Sequence, residues 1–117
     1  MLKARLISLL QQSPDLEGVA VVGADGLPLD TAMSGGLDGA TLGAEFADLV
    51  KGLHGRLADA KMGALNGLTV ETDGHRIVIE PVAPGYFMLG VVRGTGILGR
   101  ARFALKRSVH EIAAELA

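Results

Sequence analysis

Apolar residues recur at helical spacing from Leu37 to Lys61, and this stretch predicts a long amphipathic helix around which the chain is organised. At about 100° per residue, Leu42, Phe46, Leu49, Val50, Leu53, Leu57 and Ala60 form one broad stripe, the expected core face. The flank beside it carries Gly43, Ala44, Ala47, His54, Gly55 and Ala58, nearly all small, while Glu45, Asp48, Arg56 and Asp59 make the wet side. An interior glycine destabilises a helix by roughly 1 kcal/mol relative to alanine, so Gly43, Gly52 and Gly55 call for a compensating contact. A second helix lying close along the small flank would provide one. The plainer explanation is a chain rich in glycine and alanine throughout.

The same patterning places the other elements. Leu2, Leu6, Leu9 and Leu10 share a face of a short first helix, which Ser13-Pro14-Asp15 ends. Leu16 to Gly23 contains Val-Ala-Val-Val, too short and β-branched for a helix and too apolar for a strand wet on one side, and so predicts a central strand. Asp25-Gly26 supplies a hairpin turn into Leu27–Thr31, where Pro28 demotes the second strand to a sheet edge. Asp38 or Thr41 is placed to cap the long helix. Beyond Lys61 the period becomes two: Asn66–Thr72 sets Leu68 and Val70 on one side, Asp73-Gly74 turns the chain, and His75–Glu80 sets Ile77 and Ile79 against Val78 and Glu80. Pro81 to Gly85 reads as a loop and Tyr86–Val92 as a fifth strand. A last helix starts near Thr95, its candidate cap, with Leu98, Ala101, Leu105, Val109, Ile112 and Leu116 on the buried side. The order α-β-β-α-β-β-β-α with hairpin links gives an α+β fold on a single antiparallel sheet, expected as one domain over residues 1–117.

Composition narrows the function classes. With 117 residues and no cysteine, the chain can bury a core without disulfides, and thiolate zinc sites are excluded. Eleven basic against thirteen acidic residues, with no basic block and few aromatics, offer little to nucleic acid. No segment approaches the roughly 20 apolar residues of a membrane span, so a soluble, uncleaved, cytoplasmic protein is expected.

Candidate chemistry is sparse. Gly94-Thr-Gly-Ile-Leu-Gly99 matches the dinucleotide pattern G-x-G-x-x-G between a strand and a helix. A dinucleotide site also needs a following parallel strand with an acid about 20 residues on, and Glu115 lies in the helix itself. The expectation is a glycine-softened turn that binds no nucleotide. His54, His75 and His110 fall on separate elements without ligand spacing, so no metal is expected. No serine sits at a nucleophile elbow, and the chain is expected not to be an enzyme and to need no cofactor. Phe103 lies about half a turn from the core stripe of the last helix, beside Arg100, Arg107 and His110, and is either a partner contact or tucked under neighbouring elements.

Leu16-Glu-Gly-Val-Ala-Val-Val-Gly-Ala-Asp-Gly-Leu-Pro-Leu, the long helix, and Gly67-Leu-Thr-Val-Glu-Thr-Asp-Gly-His-Arg-Ile-Val-Ile-Glu together resemble the Roadblock/light-chain family, over essentially the whole chain. The resemblance implies strand order 2-1-5-4-3, with the long helix on one face and the terminal helices on the other. It also implies a homodimer joined through the central helix and the third strand. The interface residues are then Gly43, Ala44, Ala47, His54 and Ala58 with Leu68 and Val70. Family members are non-catalytic partners of Ras-like small GTPases or scaffolds, and the gliding-motility relative accelerates GTP hydrolysis on its GTPase.

Two functions follow as expectations: a homodimeric regulator or scaffold for a Ras-like GTPase, or a small-molecule sensor or scaffold with no GTPase partner. A deep cavity between sheet and long helix would favour the sensor. For the regulator, the partner-facing candidates are Glu45, Asp48, Lys51, Arg56 and Asp59 on the long helix, with Phe103 and Arg107 on the last. Arg56 is either an arginine finger or, three residues from Asp59, half of a surface ion pair.

Overall fold

Leu16–Gly23 (β1) is buried along almost its whole length because it has a strand on each side and helices on both faces. In the computed structural model, which describes residues 2–116, it follows α1 (Leu2–Gln12) and precedes β2 (Pro28–Met33), α2 (Gly39–Asp59), β3 (Leu68–Glu71), β4 (His75–Ala83), β5 (Tyr86–Arg93) and α3 (Leu98–Leu116). The strands form one antiparallel sheet in the order β2-β1-β5-β4-β3. This is the α+β architecture that the period changes and hairpin signals predict. Pro28 lies on an edge strand, where no ladder donor is needed, and Gly26 takes φ +88° in the first hairpin turn.

The period of two sorts the sheet residues between two cores. Val19, Val21, Val78, Met88 and Val92 face Leu6 and Leu9 of α1 and Ala101, Leu105 and Ile112 of α3. Ala20, Val22, Ile77, Ile79, Phe87, Leu89 and Val91 face α2. One helix therefore serves one side of the sheet and two helices the other.

Several boundaries differ from the pattern for identifiable reasons. β4 continues through Pro81 to Ala83 instead of stopping at Glu80, because β3 begins opposite Ile79 and leaves that side of β4 without a neighbour to require the missing donor. β3 is correspondingly shorter than Asn66–Thr72. The long helix is capped by Asp38, whose carboxylate accepts the Ala40 and Thr41 amides at 3.1 Å, and Thr41 donates to it in turn. Thr95 does not cap α3. The Ile97 amide goes instead to the Asp15 carboxylate at 2.8 Å, and the first helical bond runs from Ala101 to Ile97.

The main correction concerns which side of α2 meets the sheet. Its buried residues are Gly39, Gly43 and Ala47; of the large apolar stripe, Leu42, Phe46 and Val50 are half-buried and pack against the same core, whereas Leu49, Leu53 and Leu57 do not. A Cβ on Gly43 would lie 3.4 Å from Val22, and one on Gly39 2.9 Å from Thr31. These glycines let the helix axis settle close onto β1 and β2, so the sheet compensates for them and no second helix is needed on that flank. Gly43 and Ala47 are thus buried inside the single chain. Meanwhile Leu42, Phe46, Leu53 and Leu57 are half-buried, Leu49 is 46% exposed, and Ala60 is exposed.

Candidate partner surface on the long helix

The small residues draw α2 down on one flank, Leu42, Phe46 and Val50 close over the sheet core beside them, and Leu49, Leu53 and Leu57 are left outside that core. Leu42, Phe46, Leu49, Leu53 and Leu57 repeat every three or four residues and form a continuous apolar strip along the helix. Gly52, half-buried beside Leu49 and Leu53, leaves a shallow hollow in this strip, bordered also by Asp48 and Arg56. An apolar strip with a hollow is a shape that a second helix can enter.

The third strand adds a backbone surface. Leu68 and Val70 pair with Ile79 and Ile77 of β4 and pack towards the α2 core, but among the described residues β3 has no strand on its outer side. A four-residue strand with unpaired amides and carbonyls is a template for another strand. The opposite edge, β2, is partly occupied: Lys3 donates to the Thr31 carbonyl and sits 3.7 Å from Asp30.

The remaining expected site residues separate into distinct places. Ala44, Glu45, Asp48, Lys51, Arg56, Ala58 and Asp59 are exposed along α2. The Arg56 guanidinium donates to the Gly52 carbonyl of its own helix at 3.3 Å and forms no ion pair with Asp59 or any other described residue, which corrects the surface-pair expectation. His54 turns towards the β4–β5 hairpin and lines a cleft of 460 Å³ there. Phe103 is 62% exposed on α3, with the Arg107 guanidinium 5.8 Å from its ring centre. The neighbouring elements do not cover it. Phe103 and Arg107 therefore lie across the sheet from α2, and the structure does not bring the two sets of partner candidates together.

The glycine-rich stretch before α3 is held by a charge network. Arg100 donates both Nε and Nη2 to the Asp15 carboxylate, at 2.6 and 3.0 Å. Arg76 donates to the Arg93 and Gly96 carbonyls, and Arg93 donates to those of Pro14 and Leu16. The Arg100 bond, followed by the Ile97 amide, holds the Asp15 carboxyl down at about 2. Since helix N-termini attract anions, the Asp15 carboxylate is a favourable partner for the start of α3, where it accepts the Ile97 amide. Sequence reasoning missed this network; the arginines at 93 and 100 bracketing the glycines were the visible signal.

The Roadblock/LC7 domain matches the sequence over residues 2–93, more than three quarters of its length. The chain belongs to the Roadblock/LC7 family. Solved structures agree with the fold of this Roadblock/LC7 chain. Myxococcus xanthus MglB is 16% identical with a TM-score of 0.87, covering 97% of this chain and 93% of that one. A Roadblock/LC7 domain from Streptomyces avermitilis is 15% identical with a TM-score of 0.86, over 97% and 96%. MglC from Myxococcus xanthus is 26% identical with a TM-score of 0.67, over 96% of both chains. No curated protein matches the sequence. Among the described residues of this Roadblock/LC7 chain, no helix is long and apolar enough to cross a membrane.

Proposed function

We propose that this Roadblock/LC7 chain is a non-catalytic, cytoplasmic homodimer that binds a Ras-like small GTPase as regulator or scaffold. The supporting observation is the leucine strip of α2, half-open in the single chain and on the same face of the sheet as the unpaired β3 edge. In the proposed dimer the β3 strands pair across a two-fold axis while Leu49 and Leu53 of each protomer pack near the other's Gly52. Self-pairing is the simplest way to cover an apolar strip and a strand edge with one operation, because an isologous contact presents each to its own copy.

The exposed charges Glu45, Asp48, Lys51, Arg56 and Asp59 then surround the paired helices. A GTPase lying across the axis covers both copies of the patch, giving two protomers per GTPase. Arg56 points back at its own helix, so acceleration of GTP hydrolysis, where it occurs, comes from positioning the GTPase's own residues. Capture from native-host extract in the presence of a non-hydrolysable GTP analogue should return a Ras-like GTPase with the wild type. Recovery of no GTPase in either nucleotide state contradicts the proposal.

A second reading, the small-molecule module, is favoured by a specific feature: the 460 Å³ cleft between α2 and the β4–β5 hairpin falls within the size range of ligand pockets, about 300–1,000 Å³. The cleft and the leucine strip adjoin at Lys51, which borders both. Sensing at the cleft is compatible with partner binding at the leucine strip.

A further inference from the structure

The cleft lies between α2, the sheet and the β4–β5 hairpin. Its floor is apolar, formed by Ala47 and Val50 of α2 with Ile79 and Phe87 of the sheet, and the β4–β5 hairpin makes its far wall. Its polar groups are the side chains of Lys51, His54 and Tyr86, and among the described residues none of the three makes a side-chain hydrogen bond or ion pair. Lys51 and His54 are three residues apart and so share one side of the helix. No aspartate or glutamate lines the cleft. An amine and an imidazole at the edge of an apolar floor, with no carboxylate in the lining, complement a molecule that is apolar at one end and anionic at the other.

Position separates this cleft from the proposed dimer contact. Taking about 100° per residue, Lys51 and His54 lie roughly a quarter to a half turn around α2 from Leu49 and Leu53. The two surfaces adjoin at Lys51, which also borders the Gly52 hollow, while His54, Tyr86 and the hairpin wall belong to the cleft alone. Pro81 and Pro84 stiffen the hairpin wall, which favours a cavity formed in advance of its ligand.

We infer that the cleft between α2 and the β4–β5 hairpin is a binding site for a small free amphiphilic anion, such as a medium-chain carboxylate. Its apolar body lies on Val50, Ile79 and Phe87, and its head group accepts hydrogen bonds from Lys51 and His54, with the Tyr86 hydroxyl at the rim.

Tyr86 is the one tyrosine in a chain without tryptophan, so its fluorescence reports on this site alone. The test titrates the purified full chain with decanoate, decan-1-ol and decylammonium below their micellar concentrations, reading Tyr86 emission. Decanoate should give a saturable change, decan-1-ol should bind at least about tenfold more weakly, as expected when a charge-assisted hydrogen bond is lost, and decylammonium should not saturate. Exposed Lys51 can be reversed without disturbing the core, and Lys51→Glu should weaken decanoate by about tenfold or more while leaving the circular dichroism unchanged. Absence of a decanoate response, equal binding of the three amphiphiles, or decanoate binding unchanged in Lys51→Glu would each overturn the inference.

Discussion

The two faces of the sheet are closed in different ways. On one, α1 and α3 together cover Val19, Val21, Met88 and Val92, and Leu6, Leu105 and Ile112 are sealed to 1% exposure or less. Arg100, Arg93 and Arg76 then tie the start of α3 to Asp15 and to the ends of β1 and β5. On the other face a single helix sits close over β1 and β2 through Gly39, Gly43 and Ala47, while its large residues remain half in water. The difference is one of side-chain size at the contact. Two helices bearing leucines fill the space above one face, whereas the single helix reaches the other through glycine and alanine, spreads Leu42, Phe46 and Val50 beside that contact, and leaves Leu49, Leu53 and Leu57 outside the core. Both faces carry a buried core, and the second also leaves leucines partly open, which suits association.

Substitutions on each face break this contrast in graded steps. Ala47→Glu has the largest expected effect, because it buries a carboxylate against Gly26 and the sheet at a position only 4% exposed. A loss of about 4 kcal/mol or more is expected, visible as a chain that is unfolded or near its midpoint in urea. On the opposite face, Leu105→Ala removes a fully buried side chain and should lower the unfolding free energy by about 3 kcal/mol, leaving the association state unchanged. A change in that state would show that the faces are not independent.

The charge network gives a smaller effect with a defined pH dependence. The Asp15 carboxyl is lowered from 3.8 to about 2, chiefly by Arg100 and then by the Ile97 amide. A depressed acid contributes stability above its unfolded value and loses that contribution as pH falls through its folded value. Wild type should therefore exceed Asp15→Asn in thermal stability at neutral pH, with the gap narrowing between about pH 4 and pH 2. A gap constant across that range contradicts the assignment. Smallest of all is Arg56→Ala, which should leave single-turnover GTP hydrolysis by the proposed GTPase partner within about tenfold, whereas an arginine finger would show a loss of roughly 10³–10⁵.

Much of the fold was legible because its signals are local. Alternation of Ile77, Val78 and Ile79 assigns each residue to a face, Asp25-Gly26 fixes the first hairpin, and Pro28 marks an edge. The rotation of α2 was not legible in the same way. Periodicity locates an apolar sector on a helix but does not say which part of that sector touches the sheet; here the small residues do, because only they fit where Val22 and Gly26 come close. Asp15, Arg76, Arg93 and Arg100 were equally hidden, since they meet across as many as 85 positions of sequence. The cleft escaped notice because Pro81–Gly85 looked like an ordinary loop, and only the extension of β4 past β3 turns it into a wall.

The central claim is that the leucine side of α2 and the β3 edge are completed by a second copy of the chain. Light scattering after gel filtration at micromolar concentration tests it most directly. The wild type should elute at twice the chain mass of 12.1 kDa, and Leu53→Glu, which places a charge on the half-exposed strip and leaves the sheet contact intact, should elute at 12.1 kDa with unchanged circular dichroism. A wild-type chain that is monomeric under these conditions, or a Leu53→Glu chain that stays dimeric, contradicts the account.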